Sequence, residues 1–330
     1  MVGIHWSNVL TSLYLAAISV SHALPQRSSI TSYAALGDSY ATGAGAGSLR
    51  LWPPSALGCG RFSEAYPVQV ASDTRLDIPP SRFKNLACGA SSTMTVLQNQ
   101  VPRIGTSEVV TLTVGGNEVD FFPLLNECVY QWRPVSTCHM EMAKARDKVQ
   151  SSTFISNFNA LVTEIMRRIR PEAVLYVTGY AQFFNDKTDQ CDNVTFSRLD
   201  PTNFLTKDLR KQLNEMILMI NEVIKAVTQV HGAVYVDIDR VFRGHRFCED
   251  GVLEPAPERS DTWFFTVGTQ NLSLVDQSGF DRSEPPIQNN ARYSLTEIPD
   301  MKTFHPTGLG HTGIAQEIVR EVLSRLGRSY

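Results

Sequence analysis

The chain has 330 residues, 42% of them apolar, and a formal net charge of −3. That is enough for a large core, in one big domain or two ordinary ones. No basic excess points to nucleic acid, and no polybasic run points to an anionic membrane surface. At the N-terminus, Val9 to Val20 is an apolar run of signal-peptide length, and Ser21-His22-Ala23 supplies small residues at a cleavage site. The run is short for a span of roughly 20 residues. The expected organisation is a cleaved signal peptide over 1–23 and one domain over 24–330, exported, monomeric and without a stable membrane span.

Strands and helices then alternate. Ser32 to Leu36 reads as a first strand, Ser63 to Ala71 as a helix, Phe83 to Ala87 as a short strand and Thr93 to Gln100 as a helix. Glu108 to Val114 is β-branched and apolar, a buried strand ending at Gly115-Gly116-Asn117. Phe154 to Arg170 has helical spacing and stops before Pro171. Ala173 to Thr178 is another buried strand. Asp208 to Val230 is a long amphipathic helix closed by Gly232, Ala233 to Ile238 a fifth strand, and Leu309 to Leu326 a C-terminal helix. Five short apolar strands separated by helices imply an α/β fold, a mainly parallel sheet covered on both faces. Arg243 to Phe304 is long, irregular and polar, beyond ordinary loop length. Within it, Trp263-Phe264-Phe265 suits a small satellite core, or the lining of an acyl pocket.

Six cysteines (Cys59, Cys88, Cys128, Cys138, Cys191, Cys248) follow the cleavage point and form no CxxC pair. They read as up to three disulfides in an oxidising compartment rather than as a zinc site. Asn193-Val194-Thr195 and Asn271-Leu272-Ser273 are acceptor sequons for N-glycans.

In parallel sheets, ligands sit beyond the carboxyl ends of the strands. Ser39, Gly89 and Asn117 each fall just after such an end. Gly37-Asp38-Ser39 is ordinary turn composition, but it can also hold an exposed hydroxyl in a tight turn. Acyl transfer by a serine needs a base, preorganised donors for the oxyanion and a group that orients the base. Gly89 can bring its N–H close to a substrate, the Asn117 amide can donate, and the Ser39 N–H is a third donor. Taken singly, Gly89 suits a simple turn and Asn117 a helix N-cap. For the base, His305 lies in the loop before the last helix, where a side chain can reach the rim, whereas His311 lies inside that helix and suits packing or capping. Gly43-Ala44-Gly45-Ala46-Gly47 lacks the GxGxxG spacing of a dinucleotide site.

Gly37-Asp38-Ser39, Gly89, Gly115-Gly116-Asn117 and His305-Pro306 resemble, in order and context, the motifs of the SGNH hydrolases, the GDSL-type esterases and lipases. The resemblance covers residues 37 to 311. It implies a flavodoxin-like three-layer α/β/α sandwich with a five-stranded sheet, no metal or other cofactor, and an acyl-enzyme mechanism on lipid or other small ester substrates. Ser39 would be the nucleophile and His305 the general acid/base, with Ser39, Gly89 and Asn117 forming the oxyanion hole. The family's usual acidic partner stands three residues before the histidine, where this chain has Lys302. Some secreted members use a main-chain carbonyl instead, which implies the Lys302 carbonyl. Asp300 reaching in is the alternative. Some secreted members also carry three disulfides between consecutive cysteines, which implies Cys59–Cys88, Cys128–Cys138 and Cys191–Cys248. A carbohydrate deacetylase is the rival within this chemistry, and an inactive glycan- or lipid-binding protein the rival outside it.

Overall fold

The computed structural model describes residues 30–50, 54–132, 136–257, 259–266, 273–275 and 302–328. The leader, Asp300 and the sequon at Asn271 lie outside them. Five parallel strands form the central sheet: β1 (Tyr33–Gly37), β3 (Phe83–Asn85), β4 (Val109–Thr113), β5 (Val174–Thr178) and β6 (Val234–Val236), in the order β3-β1-β4-β5-β6. All five positions of β1 and of β4 are buried, which is why both read as uninterrupted apolar or β-branched runs. A short β2 (Ser48–Arg50) pairs in parallel with β7 (Ser273–Val275) in a second sheet that the sequence did not announce.

The helices are α1 (Ser39–Thr42), α2 (Pro54–Cys59), α3 (Tyr66–Ala71), α4 (Thr93–Asn99), α5 (Phe121–Leu125), α6 (Cys138–Gln150), α7 (Ser152–Arg168), α8 (Lys207–Val230) and α9 (Gly308–Arg325). Helix α9 packs on α3, while α4 and α8 pack on α7, so the sheet is the middle of three layers. The long helices begin at side-chain caps: Ser151 for α7, Thr206 for α8 and Thr307 for α9 each accept a first-turn N–H. Their starts therefore fall one or two residues ahead of the apolar spacing that announced them. Helix α8 stops at Gly232, which takes a left-handed φ of +69°.

The strand order is that of a flavodoxin-like sheet, in which the chain reverses its winding between β1 and β4. The carboxyl ends of these two strands are locked in register, Gly37 opposite Thr113, and the Asp38 N–H continues the ladder to the Thr113 carbonyl at 2.9 Å. A side chain at Gly37 is excluded. Its φ is +142°, and a Cβ there would lie 2.2 Å from the Thr113 carbonyl oxygen. The two segments that leave this edge carry Ser39 and Asn117.

All six cysteines pair, Cys59–Cys88, Cys128–Cys138 and Cys191–Cys248, as the family resemblance implies. In the described part of the long polar stretch before α9, aromatic stacking joins the chain to the core. Phe304 meets Tyr130, Phe183, Phe184 and Phe247 at centroid distances of 5.1–6.1 Å. Phe264 is buried against Phe183, Phe242 and Phe247, so it belongs to the main core, while Trp263 and Phe265 are half-buried. Among the described residues no helix is long and apolar enough to cross a membrane.

Candidate active site

Ser39 opens α1 rather than occupying a bare turn. Asp38 is the N-cap, and its carboxylate accepts the Tyr40 N–H at 2.9 Å. The Ser39 N–H has no acceptor among the described residues and its side chain is half-buried. Two polar clamps hold this turn. The buried Gln100 side chain accepts from the Gly37 N–H at 2.8 Å and donates to the Gly37 carbonyl at 2.9 Å and to Ser91 Oγ at 3.1 Å. The Tyr180 hydroxyl donates to Asp38 at 2.7 Å and accepts the Gly116 N–H at 2.9 Å. The nucleophile turn is thus tied to the Ser91 segment by one clamp and to the Asn117 loop by the other. Burial pushes the Asp38 carboxyl up to about 7, against the opposing pull of the Tyr180 and Tyr40 hydrogen bonds.

His305 and Ser39, 266 residues apart in the chain, meet with Nε2 and Oγ separated by 2.7 Å. The other ring nitrogen, Nδ1, faces the carbonyl of Thr303 at 3.4 Å. The Lys302 carbonyl accepts the His305 backbone N–H at 2.8 Å. Burial pulls the imidazole down from 6.5 to about 4, and the Thr303 and Lys302 carbonyls oppose that shift. A carbonyl only accepts, so a proton on Nδ1 leaves Nε2 with its lone pair toward the serine. The Lys302 side chain takes no part in this. Its ammonium lies 4.9 Å from the centre of the Phe265 ring. His311 is fully buried in α9, where Nδ1 accepts the Tyr66 N–H at 3.3 Å, a packing and capping role.

The oxyanion-hole candidates differ in readiness. Asn117 is exposed, and one N–H of its amide is held by the Ser91 carbonyl at 2.9 Å, which leaves the second for a ligand. The Gly89 N–H donates to the Cys59 carbonyl at 2.9 Å. The Cys59–Cys88 bridge fixes the same two segments covalently, one residue away. Among the described residues, no three His, Cys, Asp or Glu side chains gather as a metal site.

Comparison with known proteins bears on this geometry. The model of the GDSL-like Lipase/Acylhydrolase family matches residues 35–312. The chain belongs to that family, and it is a carboxylic ester hydrolase. It is 30% identical over 290 residues to a lipase of Streptomyces rimosus, covering 86% of this chain and 96% of that protein. It is 30% identical over 217 residues to lipase 1 of Streptomyces coelicolor, covering 66% of this chain and 72% of that protein. Among solved structures, the extracellular lipase of Streptomyces rimosus superposes with a TM-score of 0.64 at 25% identity, over 88% of this chain and 98% of that one. A phospholipase A1 of Streptomyces albidoflavus shares the fold, with a TM-score of 0.63 at 23% identity over 88% and 99% of the two chains.

Gln100, Tyr180 and Tyr40 are site residues that sequence reasoning did not single out. Tyr180 was within reach of the rim criterion applied to Ser39 and Asn117, because it stands just past the carboxyl end of β5. Gln100 lies at the far end of α4 and carries no local signal.

Proposed function

We propose that this protein is a secreted serine hydrolase that cleaves lipid acyl esters through a covalent acyl-enzyme. The observation that carries the proposal is the 2.7 Å contact between Ser39 Oγ and His305 Nε2 at the switch point of the sheet. Ser39 Oγ attacks the ester carbonyl carbon as its proton passes to Nε2. The new oxyanion takes the Ser39 N–H and the second N–H of the Asn117 amide. Gly89 becomes the third donor by turning its N–H from the Cys59 carbonyl toward the substrate, so the hole completes on binding. The imidazolium then gives its proton to the alcohol oxygen as the tetrahedral carbon expels it. Water then attacks the acyl carbon as it gives a proton to Nε2, and the second tetrahedral species breaks its bond to Ser39 Oγ, which takes that proton back from Nε2 as the acid leaves. The carbonyls of the Lys302–Thr303 segment orient the base in place of a carboxylate.

Export is supported by the apolar run Val9 to Val20, by three disulfides and by the exposed position of Asn193 within its sequon. In this reading residues 1–23 are removed and 24–330 act as one domain. The substrate class rests on the relatives named lipases and is tested by hydrolysis of nitrophenyl esters of increasing acyl length, with a phospholipid and an acetylated xylan alongside. Medium or long acyl chains are expected to exceed acetate. A preference for acetate together with release of acetate from xylan overturns the lipid reading.

A further inference from the structure

We propose that Tyr40, the residue after the nucleophile, is a positioning residue for the base, its phenol holding the His305 loop at catalytic distance from Ser39. The inference rests on the acyl-enzyme reading above and assigns a role within it. Tyr40 is nearly buried, and its hydroxyl donates to the Phe304 carbonyl at 3.1 Å across 264 residues of chain. Its ring faces the His305 imidazole at a centroid distance of 5.3 Å and meets Tyr180 edge-on at 5.0 Å. One side chain therefore contacts the base, the backbone just before the base and the tyrosine that clamps Asp38.

The loop has a reason to need this hold. The His305 N–H bonds the Lys302 carbonyl, which closes a four-residue turn with Phe304 at its third position. Phe304 takes a φ of +64° there, a left-handed conformation that suits glycine and strains a residue with a Cβ. Two restraints offset the strain. The Phe304 ring is locked in its aromatic cluster, and its carbonyl is held by Tyr40. On the outer side, Phe304 N–H to Phe265 carbonyl and Phe265 N–H to His305 carbonyl, both 2.9 Å, fix the loop to its neighbouring segment. Those bonds position the loop against residues 263–265. Among these contacts, Tyr40 Oη to the Phe304 carbonyl is the one that ties the base's own turn to the chain carrying Ser39. Because Tyr40 is covalently next to Ser39, its hydrogen bond joins the His305 loop to the first turn of α1.

The test is Tyr40→Phe, which keeps the ring and removes the tie. Misplacement of reacting groups by about 1 Å lowers rate about 100-fold, so kcat is expected to fall roughly 10- to 100-fold with KM changed less than about 3-fold. The second readout needs no turnover: an NMR titration of the His305 ring. Freed from its anchor, the loop admits water to the imidazole, and its pKa rises toward 6.5. The titratable and charged groups around it are Tyr40 itself, His311 of α9, whose own ionisation His305 disfavours, Asp38 of the nucleophile turn, and Lys302, whose ammonium is turned onto Phe265. None of these is altered except the phenol. Tyr33→Phe is the control. It removes a buried hydroxyl contact of 2.8 Å to Thr111 at the opposite end of β1, and is expected to lower the melting temperature while leaving kcat and the His305 titration unchanged. A Tyr40→Phe protein with native kcat and a native His305 titration overturns the proposal. So does a Tyr33→Phe protein that reproduces both changes, because the effect is then one of general stability. A native chain that hydrolyses no ester refutes the acyl-enzyme reading instead and leaves the titration to decide the role of Tyr40.

Discussion

Replacing Tyr180 by Phe is expected to destabilise the protein by an amount that grows with pH. The hydroxyl makes two buried contacts, donating to the Asp38 carboxyl at 2.7 Å and accepting the Gly116 N–H at 2.9 Å. A hydrogen bond to a charged group is worth about 1.5–3 kcal/mol, and a buried N–H left without a partner costs about 1–3 kcal/mol. At pH 8, where Asp38 is charged, the loss is therefore roughly 4 kcal/mol. At pH 5 the carboxyl is protonated, its bond to Tyr180 is an ordinary neutral one of about 1 kcal/mol, and the loss falls to roughly 3 kcal/mol or less. The direction follows from linkage. Folding raises Asp38 from 3.8 to about 7, so between those values the folded chain holds a proton that the unfolded chain has released. The stability tied to this group is present below pH 3.8 and is lost as pH rises to 7. The Tyr180 hydrogen bond opposes that shift, so removing it raises the Asp38 pKa further and deepens the loss at high pH. Urea unfolding of both proteins at pH 5 and pH 8 measures the difference. Equal losses at the two values, or a loss below about 1 kcal/mol at pH 8, refute the account of Asp38 as a strained carboxyl held by Tyr180.

The histidines set a second group of pH expectations. With His305 pulled below 6.5 by burial, the acid limb of kcat/KM for the free enzyme has its midpoint below 6.5 and above about 4, and a midpoint at or above 7 contradicts the burial. His305 and His311 are both depressed, so the stability they contribute is present above pH 6.5 and is lost as pH falls toward their folded values. Proton uptake on unfolding near pH 5.5, measured calorimetrically in several buffers, is expected to include both imidazoles. In a His311→Gln protein that uptake falls by close to one proton, and an unchanged uptake contradicts the assignment.

The inner strands β1, β4 and β5 were legible because nearly all their positions are buried, and burial leaves β-branched or apolar runs such as EVVTLTV in the sequence. The helices α7, α8 and α9 were legible from one apolar face, with starts one or two residues early, where a serine or threonine cap extends the helix past its apolar spacing, and with ends within two residues. Helix α6 was missed because CHMEMAKARDKVQ buries only Glu141, Met142, Ala145 and Val149. The stretch from Arg243 to Phe304 has no period to read, since rings contributed from distant segments hold its described part. The positions of Ser39, Gly89 and Asn117 on the rim were legible because a strand end precedes each, and His305 was legible as a loop residue just before a helix; of these, Ser39 and His305 are in contact. The clamps were not. Tyr180 to Asp38 and Gln100 to Gly37 join residues 142 and 63 positions apart, and nothing local in the chain records such a match. The resting hydrogen bond from Gly89 to Cys59 is equally invisible in sequence, since it depends on where the disulfide brings the two loops.

The central claim is that Ser39 forms the covalent intermediate. The direct measurement is intact-protein and peptide mass after reaction with a fluorophosphonate. One adduct per chain on the peptide that contains Ser39 is expected, absent from Ser39→Ala and slowed strongly in His305→Ala. An adduct of undiminished yield on Ser39→Ala, at any other residue, contradicts the account.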